Sequence, residues 1–494
     1  MNPYKKLAGE TAIYGMSSII GRFLNWWLVP YYSFLFVPEV FGVITNLYSY
    51  VAFFLVLLIY GMETSFFRYA SKSDKPEEVY STSLISVLST SLLFIFSISF
   101  LKNNIASLIG YSKHPEYILW LAIILGTDAF TSIPFARLRL NNRPIKFAFI
   151  KLVGIGLNIT LNIFFLTICP KIYNSGNGAI INIFYSPEIG VGYVFISNLI
   201  SSVFTLILLM PEILNIKLKF DKKLLNQMLS YGFPILIVGL CGMINQNIDK
   251  ILIPFLVPVE QNPMFQVGVY GANYKLAVLM NMFIQAFRYA FEPFFFSMKN
   301  SGNDKEVYRR VMKYFVIFGL FIFLGMVLFM DIIKLIIDPV YHEGLKVVPI
   351  ILMANLFYGI YFALSLWYKL TDLTKYGAYM AFTGATISVL LNVLLIPFIG
   401  YFGSAIAAFI SYFVMMIISF CWGQKYFKIN YDLQTIGKYF AIALIIYLIT
   451  FITNEQPLII KYILHLILIS LFIFIVYGTE KLEIKSLFKK KIKK

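Results

Sequence analysis

Six basic residues, Arg22, Lys151, Lys250, Lys275, Arg288 and Lys334, fall inside long apolar runs of the chain. An ionisable side chain in hydrocarbon costs at least ~2.5–3.5 kcal/mol, so such groups persist where they face a partner or a water-filled cavity. Arg22 stands well inside the first run, in SSIIGRFLNWWLVP, with Asn25 on nearly the same helical face. Asp249 and Lys250 are neighbours in the seventh run, and Lys275 follows in the eighth. Arginine matches the oxygens of a phosphate in bidentate fashion and lysine adds a point charge. Arg22, Asn25, Lys250 and Lys275 are therefore the candidate lining of a cationic lumen for an anionic substrate. Asp249 either neutralises one of these cations or carries a coupling proton, and the structural alternative is an Asp-Lys pair that locks two helices together. Asp128, beside Thr127 and Thr131 in the fourth run, is the other candidate for a proton or Na⁺. Glu63 with Arg68, and Arg288 with Glu292, close the second run of each half and read as interface ion pairs or a cytoplasmic gate. Lys151 and Lys334 lie near run ends, where a long stem can reach the interface.

Other chemistries are poorly served. The three histidines, His114, His342 and His465, have no partner at catalytic spacing. Cys169, Cys241 and Cys421 show no metal or disulfide spacing, and neither a phosphate-binding glycine loop nor H-E-x-x-H occurs. The chain is expected not to be an enzyme and to use no cofactor beyond H⁺ or Na⁺ as a coupling ion.

These residues must be positioned by membrane helices. Of 494 residues, 59% are hydrophobic and only 13% charged, whereas soluble domains are about a quarter charged. The apolar runs are continuous over about twenty residues, the length of a membrane helix rather than of a barrel strand. The fold class is an all-α polytopic membrane protein. Fourteen spans are expected near 12–36, 40–62, 80–101, 117–137, 145–168, 190–210, 230–257, 266–290, 311–337, 346–368, 377–397, 402–422, 435–453 and 458–477. The first is too long for a signal peptide and reads as retained. With the N-terminus in the cytoplasm, thirty basic residues fall on the cytoplasmic side and five outside. That asymmetry follows the positive-inside rule, accounts for the net charge of +17 without nucleic acid, and puts both termini inside. The tail LFKKKIKK reads as a basic end near anionic headgroups.

The chain also repeats itself. FRYA recurs at 67–70 and 287–290, and Phe41-Gly42-Val43 parallels Val267-Gly268-Val269. GIGLNITLNIFFL from Gly154 parallels GATISVLLNVLLI from Gly384, with Asn162 and Asn392 each eight residues past the glycine. Two six-helix lobes, 1–215 and 216–425, are thus expected as parallel repeats, followed by two further helices over 426–480 and a basic cytoplasmic tail, 481–494.

The run NIDKILIPF followed by VGVYGANYKLA resembles the signature region of polysaccharide and O-antigen flippases of the MOP (multidrug/oligosaccharidyl-lipid/polysaccharide) exporter superfamily. The matching positions are Asp249-Lys250, Gly268-Val269-Tyr270 and Tyr274-Lys275, and the opening with Gly15, Ser17 and Arg22 is also similar. The resemblance implies a flippase that moves an undecaprenyl-pyrophosphate-linked oligosaccharide across the bacterial inner membrane by alternating access, in contact with membrane lipids and with polysaccharide polymerase machinery as a further partner. The 258–266 loop looks longer than the family's short turn. Two relatives share the fold, a lipid II flippase and a MATE-type multidrug exporter. The multidrug reading calls for lumenal acids in place of these bases. A membrane polymerase or ligase would need a large outer loop with catalytic Arg or His, which is absent.

Overall fold

The computed structural model describes the backbone of residues 3–175, 181–297, 304–371, 373–453 and 455–492. The side chains of 3–13, 182, 290, 292–297, 304 and 482–492 lie outside that description. The chain packs as two compact units, Met1–Gly268 and Val269–Lys494.

The first unit holds α1 (Pro3–Leu35), α2 (Pro38–Ile59), α3 (Met62–Ala70), α4 (Pro76–Leu108), α5 (Pro115–Leu140), α6 (Pro144–Ile163), α7 (Cys169–Asn174), α8 (Gly192–Leu214), α9 (Lys222–Leu256) and the start of α10 (Pro263–Leu276). Proline stands in the first turn of α2, α4, α5 and α6, where its fixed φ suits a helix and its missing N–H costs nothing. Pro30, Pro234 and Pro254, in contrast, sit inside α1 and α9, which run on past them. Between α6 and α7 the helix passes through a π-helical turn, Phe164–Ile168. There the Tyr31 and Thr167 hydroxyls meet at 2.6 Å. A core around Met62, Phe66, Val87, Ala129 and Ile133 joins α3, α4 and α5.

The second unit holds the rest of α10, then α11 (Val278–Ser297), α12 (Asp304–Leu328), α13 (Met330–Ile333), α14 (Val348–Leu364), α15 (Leu366–Leu370), α16 (Lys375–Ile399), α17 (Tyr401–Tyr426), α18 (Leu433–Thr453) and α19 (Leu458–Ile492). α18 and α19, the pair beyond the repeat, are fastened to α12 by polar contacts near both ends. Lys313 Nζ lies 2.8 Å from Glu480, both enclosed, and the Tyr439 hydroxyl donates to the same carboxylate at 2.9 Å. At the other end His465 Nδ1 donates to the Leu328 carbonyl at 2.6 Å, and Lys461 pairs with Asp331, which also holds Lys334 at 2.8 Å.

Among the described residues, twelve helical stretches are long and apolar enough to cross a membrane. The other two expected spans are helical as well. One is α1, and the other is α10 and α11, which break at Ala277. The sequence repeat divides the chain near 215, whereas packing divides it at 268, because α9 is stitched to α2 and α3. Asn46 Nδ2 donates to the Lys250 carbonyl at 2.7 Å, the Ser65 hydroxyl donates to the Met228 carbonyl at 2.9 Å, and Gly61 lies on Gly232. The approach to α10 is shorter than expected. A 3-10 turn, Val259–Gln261, ends at Asn262 with φ 49°, and the helix starts at once on Pro263. Here α2 and α10 cross so closely that a Cβ on Gly268 would run into the Pro38 carbonyl, and one on Gly42 into that of Met264.

The repeat reappears as matching contacts inside each unit. The Ser201 hydroxyl donates to the Gly154 carbonyl at 2.6 Å, and the Ser411 hydroxyl to the Gly384 carbonyl at 2.8 Å. Asn162 and Asn392 are both buried, and each donates to the carbonyl four residues back.

Candidate functional site

α1 places Arg22 beside α6. The Tyr14 ring meets Phe147 edge-on at 5.2 Å, and Gly21 admits Ile155 so closely that a Cβ would stand 2.7 Å from its Cδ1. Arg22 and Asn25 are exposed on this helix, one turn apart. On α6, Lys151 stands within electrostatic reach of Arg22, Arg139 and Glu63, with its Nζ 5.4 Å from the Phe147 ring centre. Arg139 closes α5, lies over the Phe67 ring at 4.9 Å, and pairs with Glu63 of α3. Its Nε is buried and makes no hydrogen bond. Arg139 and Glu63 thus form a pair beside Lys151, with Arg22 within electrostatic reach of the same lysine. A guanidinium with an unspent donor, next to further cations, is suited to bind phosphate oxygens.

This corrects the expected gate pair. Glu63 meets Arg139 rather than Arg68, whose guanidinium instead lies 4.0 Å over the Tyr231 ring. In the second unit Arg288 likewise lies over a ring, that of Phe362 at 4.2 Å. The side chain of Glu292 is outside the described residues. The two FRYA arginines thus share an aromatic seat, an arrangement favoured by the ring quadrupole.

Asp249 and Lys250 are both buried on α9 and pair with each other. Lys250 Nζ lies 2.8 Å from Asp249 Oδ1 and donates to the Gln246 carbonyl at 3.0 Å. The backbone carbonyl of Lys250 accepts from Asn46, whose own Oδ1 accepts from the Tyr111 hydroxyl at 2.9 Å. Asn46 thus links α2 to α9 at the position of this ion pair. Lys275 is exposed in the last turn of α10, just before the break at Ala277.

Asp128 lies midway along α5. It lies within electrostatic reach of Tyr48 of α2. Asn198 Nδ2 donates to the Tyr48 hydroxyl at 2.9 Å.

Sequence reasoning missed Arg139 and gave Lys151 no role in binding. Arg139 sits in RLRLNNR and reads as a loop cation, and Lys151 reads as a snorkelling residue. The one signal for both was their spacing from the apolar face that α5 and α6 share with α1.

A second charge cluster, centred on the buried Glu212, lies at the ends of α5 and α8. Glu212 is held by Lys146 Nζ at 2.6 Å and Arg143 at 3.3 Å, with Arg137 at 3.7 Å. Arg137 also forks onto Glu77 at 2.8 and 3.0 Å. Its donors are spent on fixed partners, which suits a clamp between helix ends.

The described residues thus define an all-helical membrane-type bundle with internal repeats. Solved structures agree with it. The lipid II flippase MurJ in an inward closed conformation matches with a TM-score of 0.72 at 16% identity, over 94% of this chain and 99% of that one. A multidrug MATE transporter in an inward-facing conformation matches at 0.63 and 14% identity, over 87% and 96%. A MOP-superfamily transporter from Pyrococcus furiosus, described as having a binding pocket of reverse polarity, matches at 0.55 and 14%, over 84% and 95%. No curated protein sequence matches the chain. The profile of the polysaccharide biosynthesis protein family matches residues 7–299, so the chain belongs to that family. The match includes the Asp249–Lys275 region from which the resemblance was read.

Proposed function

We propose that this protein is a flippase for a polyprenyl-pyrophosphate-linked oligosaccharide, an O-antigen, capsule or exopolysaccharide repeat unit, which it carries across the bacterial inner membrane by alternating access. Both termini lie in the cytoplasm. The reading rests on family membership and is supported by one observation, the grouping of Lys151 with Arg22 on one side and the Arg139–Glu63 pair on the other. A pyrophosphate presents several anionic oxygens, which guanidinium and ammonium groups bind well. Lys275 and Asn25 are proposed as further contacts to the anionic head, and Lys250 contributes through its charged pair with Asp249. The driving force is an ion gradient or the membrane potential, the polymerase machinery is a partner downstream, and no chemical bond of the cargo is changed.

The test is export in cells, comparing wild type with Arg22→Ala, Lys151→Ala, Arg139→Ala, Lys250→Ala and Lys275→Ala at matched membrane levels. A lost charge-assisted hydrogen bond is worth about 1.5–3 kcal/mol, or roughly ten- to a hundredfold in affinity. Surface glycan is expected to fall while the lipid-linked precursor builds up inside. Normal export in the first three variants would refute the assignment. Lipid II, the cargo of MurJ, is the competing substrate. If it is the cargo, deletion leaves surface glycan unchanged and peptidoglycan precursor accumulates.

A further inference from the structure

α9 runs on through Pro254, yet a proline brings no N–H, so the carbonyl four residues back loses its helix partner. That carbonyl belongs to Lys250, and it is the one that Asn46 of α2 takes up at 2.7 Å. We infer that Asn46 is a positioning residue: its side-chain amide stands in for the N–H that Pro254 lacks, and through this bond α2 sets the turn of α9 that carries Asp249 and Lys250. Its part in transport rests on the flippase reading proposed above.

The sense of the bond is fixed by chemistry. A main-chain carbonyl only accepts, so the atom of the Asn46 amide that faces it is Nδ2. The other end of the amide, Oδ1, accepts the Tyr111 hydroxyl at 2.9 Å. Tyr111 is itself anchored. Its N–H donates to the Ala106 carbonyl at 2.6 Å, and the residue belongs to a core with Leu47, Ile118 and Leu121. A flipped amide would set oxygen against oxygen at Lys250, so the carbonyl and the anchored hydroxyl together hold one orientation. Asn46 is 2% exposed and Lys250 5%, which shuts bulk water out as a substitute for the amide. In a membrane helix a carbonyl freed by proline has to be met by a group close at hand, and here a neighbouring helix provides it.

Side chains also engage the main chain throughout this part of α9. Lys250 Nζ donates to the Gln246 carbonyl at 3.0 Å, and Asp249 Oδ1 accepts the Lys250 N–H at 2.8 Å. One turn earlier, Asn245 Nδ2 donates to the Cys241 carbonyl at 2.9 Å. Local bonds of this kind offer the backbone an alternative to the helix ladder. The direction in which the acid and the base are held is therefore set partly from outside the helix, and Asn46 supplies the fixed point. A neighbour that merely packed at this place would act alike whatever stood at 254. An amide that replaces a missing N–H matters only while that N–H is missing.

The test is hydrogen exchange of the full-length protein in lipid nanodiscs without cargo, followed over residues 251–257. Asn46→Leu keeps a side chain of similar size and removes the donor. It is expected to speed exchange there by up to about tenfold, the worth of one hydrogen bond. Pro254→Ala gives the Lys250 carbonyl its helix partner back, and in that background Asn46→Leu is expected to change exchange little. An equal increase in both backgrounds, or no increase in either, would overturn the positioning role. If Asn46→Leu does not fold, Tyr111→Phe, which leaves the amide in place but unsecured, carries the same comparison with the same two outcomes against the role. In cells, Asn46→Leu is expected to lower surface glycan several-fold at matched membrane levels, and undiminished export would remove Asn46 from transport. Exchange needs no cargo, so it separates failure of the amide bond from failure of the flippase reading.

Discussion

Lys250 shows how a residue picked out by its cost is satisfied locally. Its ammonium turns back on Asp249 and on the Gln246 carbonyl of the same helix. Removing one partner of a buried pair leaves the other unpaired, which costs about 3–5 kcal/mol, while replacing both is often close to neutral. Lys250→Met is therefore expected to lower the thermal stability of the purified protein sharply, and Asp249→Asn together with Lys250→Met to restore much of it. A double variant as unstable as the single one would show that Lys250 serves more than its neighbour. At this scale the sequence was legible where a charge stood alone in an apolar run, as at Arg22, Asp128 and Asp249. Partners were not legible. Glu63 and Arg68 look like a pair on paper, but five residues turn a helix by about 500°, which leaves them about 140° apart. Arg139, 76 positions away, reaches Glu63 because the end of α5 folds over α3.

Among the elements, the crossing of α2 and α10 is the tightest. With Gly42 and Gly268 opposing backbone carbonyls, an added methyl has no side chain to push aside. Overpacking of this kind typically costs about 1–3 kcal/mol. The Asn262 amide donates to Glu39 at 2.8 Å beside the crossing, so cysteines placed at 39 and 262 report on it. Disulfide formation between them is expected to be ready in an otherwise native chain and to fall when Gly268→Ala is added. Unchanged cross-linking would show that the helices can separate without cost.

The fastening of α18 and α19 has its own pH signature. Burial alone would raise the Asp331 carboxyl, but hydrogen bonds from Lys334 and Lys461, with their charges, outweigh it and hold the group below its ordinary value of 3.8. A depressed carboxyl contributes stability above its unfolded value and loses it as pH falls through the folded one. Attachment of these helices is thus expected to be constant near neutrality and to weaken only below about pH 4, as read by hydrogen exchange in α19. Asp331→Asn should show the weakened state at neutral pH, and unchanged exchange there would remove Asp331 from the fastening. Helix positions were legible from the apolar runs. The break at Ala277 and the turn at Asn262 were not, because backbone contacts with other elements settle them.

For the whole molecule, composition and the placement of lysine and arginine sufficed for the class of fold. The repeat was legible from a few tetrapeptides because those residues make contacts. Gly154 and Gly384 each expose a carbonyl that a serine of the neighbouring helix takes up. What composition could not convey is that packing groups α9 with the helices before it, since that depends on Asn46, Ser65 and Gly232, polar and small residues with no signal in hydropathy.

The π-helical turn at Phe164–Ile168 has a meaning for the history of the chain. Such a turn holds one residue more than an α-helical one, as a helix does when it absorbs an insertion without unwinding. Its counterpart α16 runs as plain α-helix from Lys375 to Ile399. Both helices keep the glycine clamp and the buried asparagine, so the two halves have aged unevenly along their length. The stretch bearing the clamp has stayed fixed in register, while the end leading into α7 was free to lengthen.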